Sequence, residues 1–540
     1  MADNDATELI RLFDSRKAYR GNFERVWSEI AKRVLPRADE FVTKYSPGQR
    51  REEWVYDSTA QLALPAFSAA MESMLVPRTQ KWHRFAAPME LRESEAVNRY
   101  LEDIRDLAFR LRYAPGANFA SQAYETFMSL GAFGTGALYI EDGLAGGIRY
   151  MHVPLSEIYI QENAQGQVDV VDREYELTVR QAQQKWRDKL PETISRYAER
   201  EPDRKFTFLH CVKPNEDKAR GKRDYRGMAN AAYDICVETR DVLRRGGFRT
   251  FPYAVSRYTT APREVYGRSP AWDALADIKT LNEMSKTQLR YGQLVTDPPI
   301  LTADVDALNP FAVRSGAINR GYLNEQGQAL AKHMSPEGDP RISLEMADQR
   351  RQAINRAFLV TLFQILVDTP QMTATEAMLR AQEKGALLAP TIGRQQSEFL
   401  GPLIVRELDI WTQAGVLPPA PPELLEMGGI AEIVYESPLV RQQRAEEATG
   451  ILRTYEVMGV VAATDPTAMQ VFDHSESARI LAEVNGAPLR IVKSRERLAA
   501  EAQVQQQQMA AQQLIEAAPA LGNTVKSMAQ ANQAASQAPF

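Results

Sequence analysis

The chain has 540 residues, of which 44% are hydrophobic and 25% are charged, and its formal net charge is −5 at pH 7. These values are ordinary for a soluble globular protein and exclude a nucleic-acid binder that works through overall positive charge. The two cysteines, Cys211 and Cys236, are too few for a disulfide scaffold and fit a reducing cytoplasm. The acidic N-terminus predicts no signal peptide, and no apolar run is long enough to predict a transmembrane helix.

Four helices are predicted in the first quarter of the chain. Apolar residues at helical spacing predict helices over 22–35 and 57–76. Ser94 is the expected N-cap of a third helix, and a fourth is predicted over 119–133, ending at Gly134. These segments indicate a helical layer before any strand appears.

The period changes from helical to alternating after the fourth helix. Strands are predicted over 138–141, 148–153, 158–161, 168–177, 206–212 and 233–237. Thr178 and Gln181 form a predicted capping box for a helix through Trp186, and Arg245–Gly247 is read as a turn. Residues 137–258 therefore predict a mostly antiparallel sheet within an α+β fold.

Two long amphipathic helices, predicted over 269–296 and 343–364, bracket a Pro- and Gly-rich excursion over 297–342. Ser269 followed by a proline is a typical helix start, and Ser343 is the predicted cap of the return helix. The excursion is too long for an ordinary connection. Such helices, repeated around a ring, would form the wall of a channel.

A third long helix follows the break at Asp368–Pro370. The capping box Thr373–Glu376 predicts its start, and it is expected to run to Gln413 with a kink at Pro390. Beyond it we predict a Pro-rich joint (418–422), a strand (430–435), a helix (438–457) and two short helices within 473–500. Of the last 40 residues, 21 are Ala or Gln, and this tail is either a helical extension or disordered.

Two motifs resemble catalytic patterns but have simpler structural explanations. Gly131–Gly136 lacks the Lys-Ser/Thr ending of a Walker motif and runs from helix to strand, so we predict a helix stop and a tight turn. Gly267–Ala271 lacks the last glycine of a nucleophile elbow. The five histidines are scattered and the cysteines are 25 positions apart, so no metal site is predicted. Paired carboxylates such as Glu102 and Asp103 are expected on solvated helix faces.

Basic residues recur on the two long helices and in the excursion. The helices carry Lys279, Lys286, Arg290, Arg350 and Arg351, and the excursion carries Arg314, Arg320, Lys332 and Arg341. One explanation is a set of solvated or inter-subunit salt bridges, and the other is rings of charge that touch DNA phosphates. Because symmetry converts one charge per chain into a ring, a weak local charge is enough for the second explanation.

The order and spacing of several short motifs resemble the portal proteins, or head-to-tail connectors, of short-tailed double-stranded DNA bacteriophages. The motifs are Trp27–Pro36, Tyr56–Ala60, Lys81–Trp82, Phe133–Gly136, Asn163–Arg173, Thr178–Gln181, Thr373–Glu376, Tyr435–Leu439 and Asp473–Pro488. The resemblance extends to about residue 500.

The resemblance implies an α+β, mainly helical portal fold that assembles into a ring around a central channel. The implied divisions are a wing (1–268), a stem helix (269–296), a clip (297–342), a second stem helix (343–364), a channel loop (365–374), a long kinked wing helix with its joint (375–438), a crown (439–500) and a tail (501–540). The candidate channel residues are Lys279, Lys286, Arg290, Arg350, Arg351, Asp368, Thr369 and Gln371, and the candidate clip docking residues are Arg314, Arg320, Lys332 and Arg341.

The resemblance also implies a function. A dodecameric ring at one capsid vertex would nucleate procapsid assembly with scaffolding protein, conduct DNA, and dock the terminase large subunit and then tail adaptor or nozzle proteins. Contacts with the major capsid protein and internal core proteins are further expectations. The resemblance implies assembly in the bacterial cytoplasm, a place in the virion, no membrane, no cofactor and no catalytic site. The alternatives are a DNA-processing enzyme whose ligands converge only in space, and a helical scaffold without a channel.

Overall fold

The structure is a computed structural model of the chain. It describes residues 2–92, 94–143, 147–219, 221–222, 224–296, 300–302, 312, 314–320, 323–328, 340–361, 389–428, 431–436, 448–459, 472–484, 498, 501, 504 and 508. The predicted channel loop (365–374), the Thr373–Glu376 cap and the end of the tail lie outside these residues.

Helices dominate the described residues, with mostly antiparallel sheets between them. The described helices are α1 (Ala2–Val34), α2 (Thr59–Leu75), α3 (Glu95–Arg112), α4 (Phe119–Phe133), α5 (Val179–Trp186), α6 (Glu192–Ser195), α7 (Pro270–Asp273), α8 (Leu275–Thr296), α9 (Pro340–Ala357), a π-helix (Gln396–Leu400), α10 (Gly401–Gln413), α11 (Pro422–Glu426) and α12 (His474–Val484). Residues 389–395 and 448–459 are also helical. The prediction of a mainly helical α+β fold is therefore confirmed.

The strands in the described residues form four sheets. The described strands are β1 (His83–Ala86), β2 (Thr135–Asp142), β3 (Ile148–Val153), β4 (Ile158–Glu162), β5 (Val168–Thr178), β6 (Lys205–Pro214), β7 (Asn230–Cys236), β8 (Asp241–Phe248), β9 (Tyr253–Arg257), β10 (Ile300–Thr302), β11 (Ile318–Arg320) and β12 (Glu432–Tyr435). In the described part of the chain, no helix has the combination of length and apolar character that crossing a bilayer requires.

The chain divides into two compact units, each built from separate segments. The first comprises residues 1–82 and 108–417, and the second comprises 83–107 and 418–540. In the second unit β1 pairs antiparallel with β12, with His83 opposite Tyr435, and Ser94 donates a 2.6 Å hydrogen bond to Glu423.

The first unit contains a five-stranded antiparallel sheet in the order β4-β5-β6-β7-β8. Trp186 of α5 packs on Phe208 on one face, with ring centroids 4.6 Å apart. Phe13 of α1 packs on Tyr159 on the other face, with centroids 4.8 Å apart. Because alternate side chains of a strand point to opposite faces, one sheet supports both cores.

Ion pairs join α1 and the segment that follows it to this sheet. Three carboxylates at alternate positions of β5 lie on one face, and each binds a cation from the first 44 residues of the chain. The pairs are Arg16–Asp172, Lys17–Glu174 and Lys44–Glu176. Burial raises the pKa of Asp172 even though Arg16 opposes that effect.

A three-stranded sheet, in the order β3-β2-β9, lies beside α4 in the first unit. The outer edge of β9 is covered by side chains of the 389–400 helical segment. Gln395 donates to the Arg257 carbonyl at 3.0 Å, and Glu398 accepts from the Arg257 backbone N–H at 3.0 Å. These side chains satisfy backbone groups that an edge strand would otherwise expose.

Several local predictions are confirmed. The fourth helix is α4 (Phe119–Phe133), and the strand predicted over 148–153 is β3. Thr178 and Gln181 form the predicted capping box of α5. Each of these predictions depended on groups within a few residues of one another.

Other local predictions are wrong. Arg245–Gly247 lies inside β8, and the turn before that strand is at 237–240. The helix predicted over 269–296 is interrupted at Ala274, between α7 and α8. Ser343 does not cap α9, because the helix begins at Pro340 and ends at Ala357 and Ser343 lies within its first turn. The Ser343 hydroxyl accepts instead from the Gln288 amide at 3.0 Å.

Candidate channel helices and docking surface

The start of α7 and α8 is anchored to the turn between α4 and β2. The buried Ser269 hydroxyl accepts from the Trp272 backbone N–H at 2.9 Å, which is the predicted N-cap. The same hydroxyl donates to the Ala132 carbonyl at 2.8 Å. Ser269 thus has two structural partners, and the structure gives it the role of a cap.

The side-chain amide of Asn282 joins the segment 54–57 to α8. Asn282 donates to the Trp54 carbonyl at 2.9 Å and accepts from the Tyr56 backbone N–H at 2.8 Å. Burial alone would raise the pKa of Asp57, but hydrogen bonds from Thr59 and Arg351 outweigh it and lower that pKa. The sequence shows the motif around Tyr56, but only the structure shows that this motif contacts α8.

Helices α8 and α9 form a pair that polar side chains hold together. Arg350 of α9 binds Asp277 of α8 at 2.7 Å, and Gln288 donates to Ser343 at 3.0 Å. Arg351 extends from the same helix to Asp57 at 3.0 Å. The structure therefore places side by side the two helices that the sequence predicted on either side of the excursion.

Most of the predicted channel cations on these helices have carboxylate partners in the same chain. Lys279 binds Glu29 at 2.9 Å, and Lys286 lies 3.6 Å from Glu283. Arg350 and Arg351 bind the acids described above, so a DNA phosphate would have to compete with these pairs. The side chain of Arg290 is exposed.

The described part of the excursion contains a small parallel strand pair, β10–β11, which places Thr302 opposite Arg320. The buried Asn319 side chain accepts from the Ala312 backbone N–H at 2.7 Å and donates to the Ala312 carbonyl at 3.1 Å. Arg314 is exposed in the turn four residues before the start of β11. The side chains of Arg320 and Arg341, and the residues Lys332, Asp368, Thr369 and Gln371, lie outside what the structure describes.

A groove of about 690 Å³ runs along one flank of the helix pair. It is lined by Tyr56, Asp57, Ser285, Gln288, Leu289, Gly292, Gln293, Thr296, Ser315 and Arg351. The apolar residues Ile278 and Leu281 in the first half of α8 are buried, whereas Leu289, Tyr291 and Val295 in its second half are 56%, 58% and 63% exposed. The described residues thus leave the distal half of α8 with an uncovered apolar surface.

The glycine-rich motif has the structural role that the sequence predicted. Gly134, at φ +82°, ends α4 and donates its N–H to the Leu130 carbonyl at 2.9 Å. Among the residues that the structure describes, no three His, Cys, Asp or Glu side chains are grouped to hold a metal ion. The two catalytic-looking motifs therefore form turns and caps.

A comparison with protein families identifies the class of protein. The model of the bacteriophage head to tail connecting protein family matches residues 6–492. The chain belongs to this family. The predicted resemblance to phage head-to-tail connectors is thereby confirmed, and it assigns the chain to the head–tail junction of a phage particle.

Two curated relatives match over most of their length. A probable portal protein of Bordetella phage BPP-1 is 29% identical over 507 residues, covering 90% of this chain and 89% of the relative. The portal protein of Salmonella phage epsilon15 is 26% identical over 515 residues, covering 92% of this chain and 90% of the relative. Among solved structures, the neck of an empty gene transfer agent particle is 14% identical, covers 76% of this chain and 91% of its own, and has a TM-score of 0.35.

Proposed function

We propose that this chain is the subunit of a portal ring, a dodecamer at one capsid vertex through which double-stranded DNA is packaged and ejected. The observation that carries the proposal is the connector-family match over residues 6–492. The role is structural: the ring conducts DNA and adapts symmetry, and ATP hydrolysis belongs to the terminase.

The uncovered surface of α8 supports ring formation. Leu289, Tyr291 and Val295 are exposed on the distal half of this helix in the single chain. Fully burying one large apolar side chain contributes about 1.5–3 kcal/mol, so these three alone favour contact with a neighbouring subunit. In a ring each such contact is repeated at every interface.

The candidate channel residues follow from this arrangement. The proposed stem helices carry Lys279, Lys286, Arg290, Arg350 and Arg351, and the proposed channel loop carries Asp368, Thr369 and Gln371. Of these, the exposed Arg290 is not engaged in any of the ion pairs described above, which makes it the best candidate for a phosphate contact.

The proposed partners are those of a head–tail vertex. They are scaffolding protein and major capsid protein during assembly, the terminase large subunit during packaging, tail adaptor or nozzle proteins afterwards, and internal core proteins. Assembly takes place in the host bacterial cytoplasm, and the product is a virion component.

Electron microscopy of the purified full chain tests the ring directly. We expect class averages viewed along the symmetry axis to show closed rings of about twelve subunits with a central hole. Monomers or dimers at micromolar concentration, also after incubation with scaffolding protein, would contradict the proposal.

Charge reversal in the excursion tests the proposed docking surface. We expect Arg314→Glu with Arg320→Glu to weaken terminase binding at least about tenfold while rings still form, because reversed charges repel a surface that the native ones attract. Arg11→Glu with Arg25→Glu, which reverses two exposed charges on α1, is the control and should bind like wild type. Affinity for terminase is measured by biolayer interferometry. If the Arg314/Arg320 variant binds terminase as tightly as the wild type does, docking at 297–342 is refuted.

A further inference from the structure

Exposed apolar residues come together at one end of the β1–β12 sheet in the second unit. Ala86 of β1 pairs with Glu432 of β12, so the segment that leaves β1 and the segment that enters β12 flank the same end of this sheet. The first segment carries Met89, which is 78% exposed, and the second carries Leu425 and Met427, which are 61% and 43% exposed. We call these three residues the Met89 patch. Among the large hydrophobic residues that the structure describes as exposed, Met89 has the greatest exposure.

A side-chain hydrogen bond joins the two segments that carry the patch. The Ser94 hydroxyl donates to the Glu423 carboxylate at 2.6 Å, which connects the chain just after Met89 to helix α11. Leu424 of the same helix is buried, although its neighbour Leu425 is exposed. The two segments are therefore tied to each other beside the patch, and burial of Leu424 fixes which side of α11 faces solvent.

Short-range hydrogen bonds also order the backbone under the patch. The Leu91 N–H donates to the Pro88 carbonyl at 2.9 Å and closes the 3-10 turn that contains Met89. The Leu425 N–H donates to the Pro421 carbonyl at 3.2 Å in the first turn of α11. The exposed side chains thus project from ordered backbone, so less conformational entropy is lost when a partner binds.

The charged residues around the patch are mostly acidic. Residues 86–92, 421–428 and 431–432 contain four acidic residues and one basic residue, and all five are exposed: Glu90, Glu423, Glu426, Glu432 and Arg92. The next described charges along β1, β12 and α3 pair with one another, Arg84 with Glu436 at 3.2 Å and Glu95 with Arg99 at 2.8 Å. The border of the patch therefore has an excess of negative charge.

We propose that the Met89 patch binds a basic amphipathic helix of a partner protein. An exposed apolar patch with a polar border is typical of an interaction site, and methionine adapts its shape to different apolar partners. An amphipathic helix places apolar residues on one face and can carry Lys or Arg beside them, where they would meet Glu90 and Glu426. The inference goes beyond the proposed function, which places docking at 297–342. The competing explanation is that these are isolated exposed apolar residues without a partner.

Two synthetic peptides test the charge and the apolar character that the proposal requires. The probe is a fluorescein-labelled amphipathic helix of about 18 residues, or about five turns, with leucine on one face and lysine on the other. The second peptide has glutamate in place of every lysine. Binding to the full chain is measured by fluorescence anisotropy. We expect the lysine peptide to bind at least about tenfold more tightly than the glutamate peptide, because only its charges complement the acidic border.

Removal of the apolar side chains tests whether the lysine peptide binds at the patch. Met89→Ser with Leu425→Ser and Met427→Ser should weaken its binding at least about tenfold, because the leucine face then has no apolar surface to cover. The matched control replaces three exposed residues of the first unit by serine, namely Val42, Leu62 and Val405. These control residues are 63%, 70% and 46% exposed, and their replacement should leave peptide affinity as in the wild type.

Neutralisation of the acidic border tests the electrostatic part. Glu90→Gln with Glu426→Gln and Glu432→Gln should weaken lysine-peptide binding about three- to tenfold at about 50 mM salt, and less at about 200 mM, because salt screens exposed charges. The matched control changes three exposed acidic residues of the first unit to glutamine, namely Glu8, Glu52 and Glu53. It alters the net charge equally and should bind the peptide like the wild type.

Four results would overturn the proposal. They are equal affinity for the two peptides, wild-type affinity of the serine variant, an equal loss in the Glu8 control, which would mean that only overall charge matters, and loss of rings in the serine variant with unchanged peptide binding, which would assign the patch to a second copy of the chain. Rings are scored by electron microscopy in the same preparations. Failure of the portal assignment, seen as absence of wild-type rings, is therefore distinguishable from failure of this proposal.

Discussion

Arg112→Ala is expected to reduce the free energy of unfolding of the first unit by about 3–5 kcal/mol, because it leaves a buried carboxylate without its partner. Arg112 and Glu407 are both 0% exposed and form two hydrogen bonds, of 2.8 and 2.5 Å. The Tyr150 hydroxyl also donates to Glu407. Burial alone would lower the pKa of Arg112, but attraction to Glu407 outweighs it and raises that pKa.

The measurement is urea-induced unfolding followed by tryptophan fluorescence, since the Arg112 guanidinium lies 4.6 Å from the centre of the Trp82 ring. The control is Arg37→Ala, which removes an exposed pair with Glu125 at 2.7 Å and should cost less than about 1 kcal/mol. Equal unfolding midpoints for the two variants would contradict the importance of the buried pair.

A compensated variant separates the lost charge partner from lost packing. Arg112→Met, Glu407→Leu and Tyr150→Phe together remove both charges and the hydroxyl that would otherwise lose its acceptor. Replacing a complete buried ionic group by apolar side chains of similar size is often neutral or stabilising. We therefore expect the triple variant to be more stable than Arg112→Ala, although it changes more atoms.

The parts of the fold that were predictable from sequence are those encoded locally. The bounds of α4 follow from its apolar spacing and the glycine after it, and the capping box of α5 follows from Thr178 and Gln181. The helix pair α8–α9 was predictable as two helices around an excursion. In each case the element was predicted by residues that lie close together in the sequence.

Contacts across long stretches of chain were not predictable in this way. Arg112 and Glu407 are 295 positions apart, and no spacing rule links them. The first half of α1 was missed because its few apolar residues, such as Leu9 and Phe13, are separated by charged ones whose partners are on β5. Gly246 and Gly247 were misread as a turn because β8 is an edge strand, where glycine is tolerated.

The candidate site shows the same division. The sequence identified the cations of α8 and α9, but it left open whether they bind other residues or DNA phosphates. The structure supplies the partners Glu29, Asp277 and Asp57, which belong to other elements, and Glu283, which lies one turn earlier on the same helix as Lys286.

Gly134 joins the predicted glycine motif to the segment that precedes α7 and α8, and its geometry leaves no space for a side chain. Its φ is +82°, and a Cβ atom there would lie 2.4 Å from the Gly267 carbonyl oxygen. A Cβ atom on Gly267 would in turn lie 2.1 Å from the Gly134 carbonyl oxygen. The Gly134 carbonyl also accepts from the Tyr258 N–H at 2.9 Å. The two backbones are therefore in direct contact just before Ser269 begins α7.

Gly134→Ala should thus destabilise the first unit by about 2–5 kcal/mol, of which the left-handed backbone accounts for about 1–2 and forced separation of the two backbones for the rest. Gly166→Ala is the matched control, because Gly166 has φ +77° but open space around its Cβ position. The control should show only the backbone cost, of about 1–2 kcal/mol. Both are measured by urea unfolding, and a loss no greater than that of Gly166→Ala would show that the 267–269 segment moves away freely. A greater loss, with rings reduced in the same preparation, would show that this backbone contact sets the position of α7 and α8 for assembly.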